Sequence, residues 1–226
     1  TIDYGPCAFM DAYDPGKVFS SIDRFGRYAY AKQPEIAVWN LAQFASCLLP
    51  LMEGTEDAAI EAATAAINRF PELYQAAWLR RFRAKIGLET EDEGDAALIS
   101  GLLDLMAQDG ADFTNSFRAL AEGNARDQFV DRDAFDAWET GWRDRLARDG
   151  RDAAAQEATM RAANPAIIPR NHRIEAAIQA GVAGDFDPFR QLTEALAQPY
   201  TPKAGTDWLR HPPHPEEEVR QTFCGT

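Results

Sequence analysis

The sequence predicts a mainly α-helical protein with a short extended lead-in. Two patterns carry that expectation. Beyond about residue 30, apolar side chains recur three or four positions apart and almost never alternate. The periodic stretches are also separated by residues that start or stop helices, namely proline, glycine and short polar caps. The lead-in reads differently, because Asp14-Pro15-Gly16 is a turn signal and Gly5, Gly16 and Gly26 interrupt any helix there.

The helices follow in order. Pro34 suits a first helical turn, and Ile36, Trp39, Asn40, Phe44, Cys47 and Leu48 then mark one largely apolar face, which places Cys47 and Trp39 in a core. Thr55, followed by Glu56 and Asp57, is an N-cap with acids in the first turn, and its helix runs to about Arg69 before Phe70-Pro71. A helix over 72–85 carries Leu73, Ala77, Trp78 and Phe82, and Gly87 stands where a left-handed cap is wanted. The acidic run 89–95 reads as a solvated linker. A helix over 95–107 bears Leu98, Leu102, Leu105 and Met106 and closes at Asp109-Gly110. Thr114 is the expected cap of a short helix holding Phe117 and Leu120.

Phe135, Trp138, Trp142 and Leu146 form a helical stripe over 133–148, ending before Gly150. Alanine-rich helices are expected over 151–163 and 170–183, and another over 186–196 with Asp187 as N-cap and Pro188 at its first position. The proline-rich stretch 198–215 should be irregular. The organisation predicted is one helical domain over 1–226. It comprises a lead-in (1–33), a helical body (34–197) and an irregular tail (198–226) that ends around Cys224.

Bulk composition excludes several roles. With 23 basic against 36 acidic residues, the net charge is −13. That balance argues against a surface tracking nucleic-acid phosphates and against an anionic membrane as partner. The longest apolar runs, 44–52 and 99–106, are too short to span a bilayer. Cysteines at 7, 47 and 224 are too few and too scattered for a disulfide scaffold, so a reducing, cytoplasmic setting is expected.

The chemistry-bearing signal is Asp3-Tyr4-Gly5. An acid, an aromatic and a glycine in this order are what kinase-like enzymes use to hang a Mg²⁺-binding carboxylate ahead of the activation segment. The carboxylate neutralises nucleotide phosphate charge through the metal, and glycine allows a sharp exit of the chain. The stretch continues through Cys7-Ala8-Phe9-Met10-Asp11-Ala12-Tyr13-Asp14-Pro15, then Gly26-Arg27-Tyr28-Ala29-Tyr30, Gln33-Pro34 and Trp39-Asn40-Leu41. Further along come Asp112-Phe113-Thr114-Asn115-Ser116-Phe117-Arg118, Asn164-Pro165, Arg170-Asn171, Gly184-Asp185 and the closing Phe223-Cys224-Gly225-Thr226. Taken together these stretches resemble the selenoprotein O family, kinase-like proteins that move AMP from ATP onto protein hydroxyls.

The resemblance covers essentially the whole chain and implies the carboxyl-terminal helical lobe of a protein-kinase-like fold, with extra helices and an activation-segment-like lead-in. It implies that Asp3 binds Mg²⁺ and, through it, ATP. The phosphate-gripping loop, the ATP-contacting cations, the proton-accepting aspartate and the metal-binding asparagine would belong to a missing amino-terminal lobe. This portion alone would then be inactive, and it would expose the apolar face that meets that lobe and self-associate. Partners implied are proteins carrying Ser, Thr or Tyr hydroxyls. The family also places a redox cysteine where Cys224 stands. Its usual partner position is occupied here by Phe19, Ser20 and Ser21, which leaves Cys7 as the nearby candidate.

Other residues carry less. His211-Pro212-Pro213-His214 lacks ligand spacing and reads as a surface linker, and His172 reads as structural. The tryptophans at 39, 78, 138 and 142 read as core, and Arg170 and Asn171 match the family pattern without an assigned role. Two rival readings stay open: a phosphate-transferring kinase-like protein and a non-catalytic helical interaction module.

Overall fold

A computed structural model describes residues 9–201 and 203–222 of the chain. Of the described residues, Pro15–Leu79 form one compact unit, and Arg80–Thr222 with residues 9–14 form a second. Nine α-helices and no strand are found among them. The mainly helical expectation therefore holds.

The first unit begins with turns through residue 29 and continues into α1 (Gln33–Leu48), α2 (Glu56–Asn68) and the first half of α3 (Phe70–Lys85). Thr55 caps α2 as expected, its hydroxyl accepting from the Ala58 amide at 3.3 Å. Helix α3 starts two residues earlier than the predicted 72, with Phe70 and Pro71 in its first turn, where proline's missing N–H costs nothing. Two core expectations fail here. Cys47 is exposed, and Trp39 is 49% exposed with the Arg27 guanidinium lying 4.4 Å over its ring. The α1 face toward Ala62, Ala63 and Ala66 of α2 is that of Leu41, Phe44, Ala45 and Leu48, and neither Trp39 nor Cys47 belongs to it. A cleft of about 430 Å³ is left open, lined by Phe44, Leu48, Met52, Ile67, Phe70 and Leu73.

The second unit is built from the end of α3, α4 (Asp95–Asp109), α5 (Phe113–Glu122), α6 (Arg132–Asp149), α7 (Ala153–Ala163), α8 (Asn171–Val182) and α9 (Asp187–Leu196). Helix α4 lies against α6, α5 against α7, and α8 against α9. Ile86, Ile99, Met106, Phe117 and Phe135 are buried at the centre. An aromatic ladder runs along α6, with Phe129 on Phe135, Phe135 on Trp138 and Trp138 on Trp142 at 4.6, 5.6 and 5.5 Å between ring centres. The two indole N–H groups are satisfied, Trp138 donating to the Leu98 carbonyl at 2.9 Å and Trp142 to that of Ile86 at 2.8 Å.

Several boundaries differ from expectation for one physical reason. A capping side chain must sit on extended backbone and reach an amide three residues on. Asp112 does this for α5, accepting from the Asn115 amide at 2.7 Å, so Thr114 lies inside the first turn and is not the cap. Asp131, though its ψ is only 83°, likewise accepts from the Ala134 amide at 3.0 Å and caps α6, which starts at Arg132. Asp187 is the first residue of α9 and not its N-cap; Phe186 holds that position, and Asp185 accepts from the Asp187 amide at 2.9 Å. The 89–95 run is not simply a solvated linker, because Asp95 is fully buried. The tail is irregular overall, yet it contains a 3-10 turn at Asp207–Arg210, and Leu209 from that turn is buried with Ile167, Leu192 and Ala195.

Candidate functional site

Segment 9–14, which leads out of the Asp3 motif, is docked on the start of α5. The dock begins with the backbone. The Tyr13 amide donates to the Ala111 carbonyl at 2.8 Å and the Phe113 amide to the Asp11 carbonyl at 2.7 Å, an antiparallel bridge centred on Ala12 and Asp112. Met10 and Tyr13 are buried, and Tyr13 stacks on Phe113 at 5.6 Å. Burial and the nearby Asp104 and Asp14 charges keep the Tyr13 hydroxyl above its ordinary pKa, so it stays protonated.

Arg170, at the N-cap position of α8, locks this bridge. It is 1% exposed. One guanidinium nitrogen, Nη1, donates to both Asp11 Oδ1 and Asp112 Oδ2, the latter at 2.7 Å. The other, Nη2, donates to the Arg210 carbonyl at 2.8 Å. Burial alone would weaken the charged form, but the Asp112 and Asp11 carboxylates more than offset it and hold Arg170 above the ordinary arginine value. Asp112 therefore has two duties, capping α5 through Oδ1 and pairing with Arg170 through Oδ2.

The strap at Asp207–Arg210 is fastened to the same place. Asn115 Nδ2 donates to the Arg210 carbonyl at 3.0 Å, and Arg210 Nη2 donates to Glu122 Oε2 at 2.6 Å. Glu122 also accepts from Arg118 Nε at 2.9 Å, and Arg118 Nη1 reaches the carbonyls of Asn164 and Tyr200 at 3.1 and 3.2 Å. Burial would raise the Glu122 pKa, but Arg210 and Arg118 together bring it below its ordinary value.

Two further polar knots hold the frame. Asn164 is fully buried, its amide donating to the carbonyls of Lys85 (2.8 Å) and Phe117 (3.3 Å) while its oxygen accepts from Lys85 Nζ (3.1 Å). That ammonium also lies over the Phe117 ring at 4.9 Å, and burial lowers its pKa to about 8. Asp95 accepts from Arg83 Nε at 2.6 Å, Arg145 Nε at 2.7 Å and the Asp92 amide at 2.9 Å. Both knots tie helices together.

The site residues expected from sequence, Asp3, Cys7 and Cys224, lie outside the described residues. Among the described residues no group of three His, Cys, Asp or Glu side chains is placed to hold a metal ion. His172 is buried, with burial lowering its pKa, and neither ring nitrogen has a partner. Among the described residues, no helix is long and apolar enough to cross a membrane. What sequence reasoning missed is the clamp of Asp11, Asp112 and Arg170. A signal was present, because each of the three stands in a stretch that carries the family resemblance, and Asn164 in a fourth.

Comparison with known proteins agrees with those stretches. Residues 1–197 match the family described as protein adenylyltransferase SelO. A protein nucleotidyltransferase YdiU of Ruegeria sp. (strain TM1040) is 56% identical over 226 residues, covering all of this chain and 47% of the relative. The protein of the same name from Nitrobacter hamburgensis is 56% identical over 234 residues, again across the whole chain and 46% of the relative. The one from Jannaschia sp. is 55% identical over 229 residues, with 48% of the relative covered. The chain thus spans about half the length of the curated relatives it matches.

Proposed function

Because the chain belongs to the protein adenylyltransferase SelO family, we propose that it serves as the carboxyl-terminal helical lobe of a kinase-like enzyme transferring AMP from ATP to proteins. One observation carries the reading: the segment leading out of Asp3-Tyr4-Gly5 is pinned by residues from three separate family-like stretches, Asp11, Asp112 and Arg170. Pinning a chain just beyond a metal-binding carboxylate restricts that carboxylate's position, and such catalysis depends on positioning.

The donor chemistry fits Mg²⁺ at Asp3. Mg²⁺ is taken by one or two carboxylates together with substrate phosphates and water. Asp11 and Asp112 are committed to Arg170, and the resemblance assigns the metal role to Asp3, completed by an asparagine from the preceding half. Bound there, the ion would neutralise charge on the ATP phosphates. A Ser, Thr or Tyr hydroxyl of a partner protein attacks the α-phosphorus, its proton passes to an aspartate of that preceding half, and pyrophosphate leaves. This chain's part is to hold Asp3, and by itself it is expected to be inactive. A Cys7–Cys224 bridge would make activity sensitive to oxidation in an otherwise reducing cytoplasm.

The test is the protein extended upstream to its natural start, incubated with Mg²⁺, ATP labelled at the α-phosphate and a protein acceptor. AMP appears on the acceptor, and Asp3→Ala abolishes it. Label carried only at the γ-phosphate would make the protein a kinase. No transfer of either kind by the folded, reduced and oxidised protein would favour a binding module, for which the open apolar cleft of the first unit is the relevant surface.

A further inference from the structure

We infer that Arg170 is a positioning residue that couples the carboxyl-terminal strap to the segment leading out of Asp3, so that docking of either one favours docking of the other. The coupling itself rests on geometry alone; its consequence for AMP transfer rests on the function proposed above.

The argument begins with the acceptors. Arg170 serves three remote stretches with one planar group: Asp11 in segment 9–14, Asp112 at the start of α5, and the Arg210 carbonyl in the strap. Its fork is rigid, so the places of its acceptors are fixed relative to one another. Its Nε is buried without a partner, so no further acceptor lies in reach to replace one that leaves. If the strap leaves, Nη2 loses the Arg210 carbonyl. The guanidinium then stays unsatisfied or swings outward, which takes it off Asp11. If segment 9–14 leaves, the buried charge keeps Asp112 but loses its second carboxylate, and the strap's anchor weakens. Coupling of this kind is reciprocal by thermodynamic necessity.

Other contacts of the strap go to the helices. Leu209 is buried against Ile167, Leu192 and Ala195, Asn115 donates to the Arg210 carbonyl, and the Arg210 side chain reaches Glu122. Arg173 lies 5.2 Å from the Trp208 ring. Arg170 hydrogen-bonds to both the strap and segment 9–14. Asp3 stands eight residues before Asp11, so at most about 28 Å of extended chain separates them.

Hydrogen exchange on the 226-residue chain tests the coupling. The readout is the Tyr13 amide, bonded to the Ala111 carbonyl, and the Leu209 amide, bonded to that of Thr206. Leu209→Asp, which frees the strap, should speed exchange at Tyr13 about ten- to a hundredfold, the range for losing a charge-assisted hydrogen bond. In an Arg170→Lys background the same strap substitution should add nothing further at Tyr13. Asp11→Asn should in turn speed exchange at Leu209. Unchanged Tyr13 exchange on freeing the strap, or effects of Arg170→Lys and Leu209→Asp that simply add, would overturn the coupling. Should either variant lose protection throughout α6, Asn115→Ala decides by the same readout, since it weakens the strap without touching Arg170. In the upstream-extended enzyme, Arg170→Lys is expected to lower kcat for AMP transfer while KM for ATP holds. Absence of transfer in the unsubstituted enzyme refutes the proposed function and leaves the exchange result to judge the coupling.

Discussion

Replacing Asp95 by asparagine removes one charge and almost no volume, which makes it a clean probe of what holds the second unit. Asp95 is fully buried and accepts from Arg83 Nε, Arg145 Nε and the Asp92 amide at 2.6, 2.7 and 2.9 Å. An amide in its place turns an N–H₂ group toward at least one guanidinium and leaves two buried arginines short of a counter-charge. Arg145 keeps a 3.7 Å approach to Asp149 and its bonds to the Thr90 carbonyl and, at 3.4 Å, the Thr90 hydroxyl. Breaking a buried pair from one side costs about 3–5 kcal/mol. Against a total stability of about 5–15 kcal/mol that is a large share. The melting temperature should fall by roughly 10 °C or more.

Circular dichroism melts of the two proteins measure this, and acid adds a second check. Burial would raise the Asp95 pKa, but hydrogen bonds from Arg145 and Arg83 more than offset it and hold it below the ordinary value of about 3.9. A carboxylate lowered on folding stabilises fully above its unfolded pKa and loses that contribution as pH falls through its folded one. The stability gap between the unsubstituted protein and the Asp95→Asn variant should therefore be constant near neutrality and close progressively below about pH 4. A substitution costing under about 1 kcal/mol at pH 7, the scale of a surface ion pair, would refute the reasoning.

Two more substitutions follow from the frame. Gly87 has φ +84°, and a Cβ there would lie 3.2–3.3 Å from the Met160 side chain. Gly87→Ala should cost about 2–3 kcal/mol, read from urea midpoints: about 1–2 for left-handed backbone and the rest for crowding. Lys85, with its pKa lowered to about 8 by burial, destabilises the fold while charged; stability should rise as pH climbs from about 8 toward the unfolded value near 10.4. Its ammonium resonance, followed by NMR, should titrate near pH 8, and a midpoint above 10 would contradict the burial seen beside Phe117 and Asn164.

The sequence by itself determined the local events. Periodicity located each helix to within a few residues. Thr55 capped α2, and Gly110 and Gly150 closed α4 and α6 in the left-handed region, because these depend on neighbours a turn away. Family-like stretches were equally legible, and they included every member of the Arg170 clamp. What only tertiary structure decided was which stretch meets which. Arg170 and Asp11 are 159 residues apart in sequence and share a hydrogen bond. Asp95, in an acidic run that suggested solvent, is buried because Arg83 and Arg145 converge on it from helices α3 and α6. Cys47 and Trp39 went the opposite way. The face that α1 turns toward α2 is that of Leu41, Phe44, Ala45 and Leu48, and an apolar residue outside such a face is buried only where some other surface covers it.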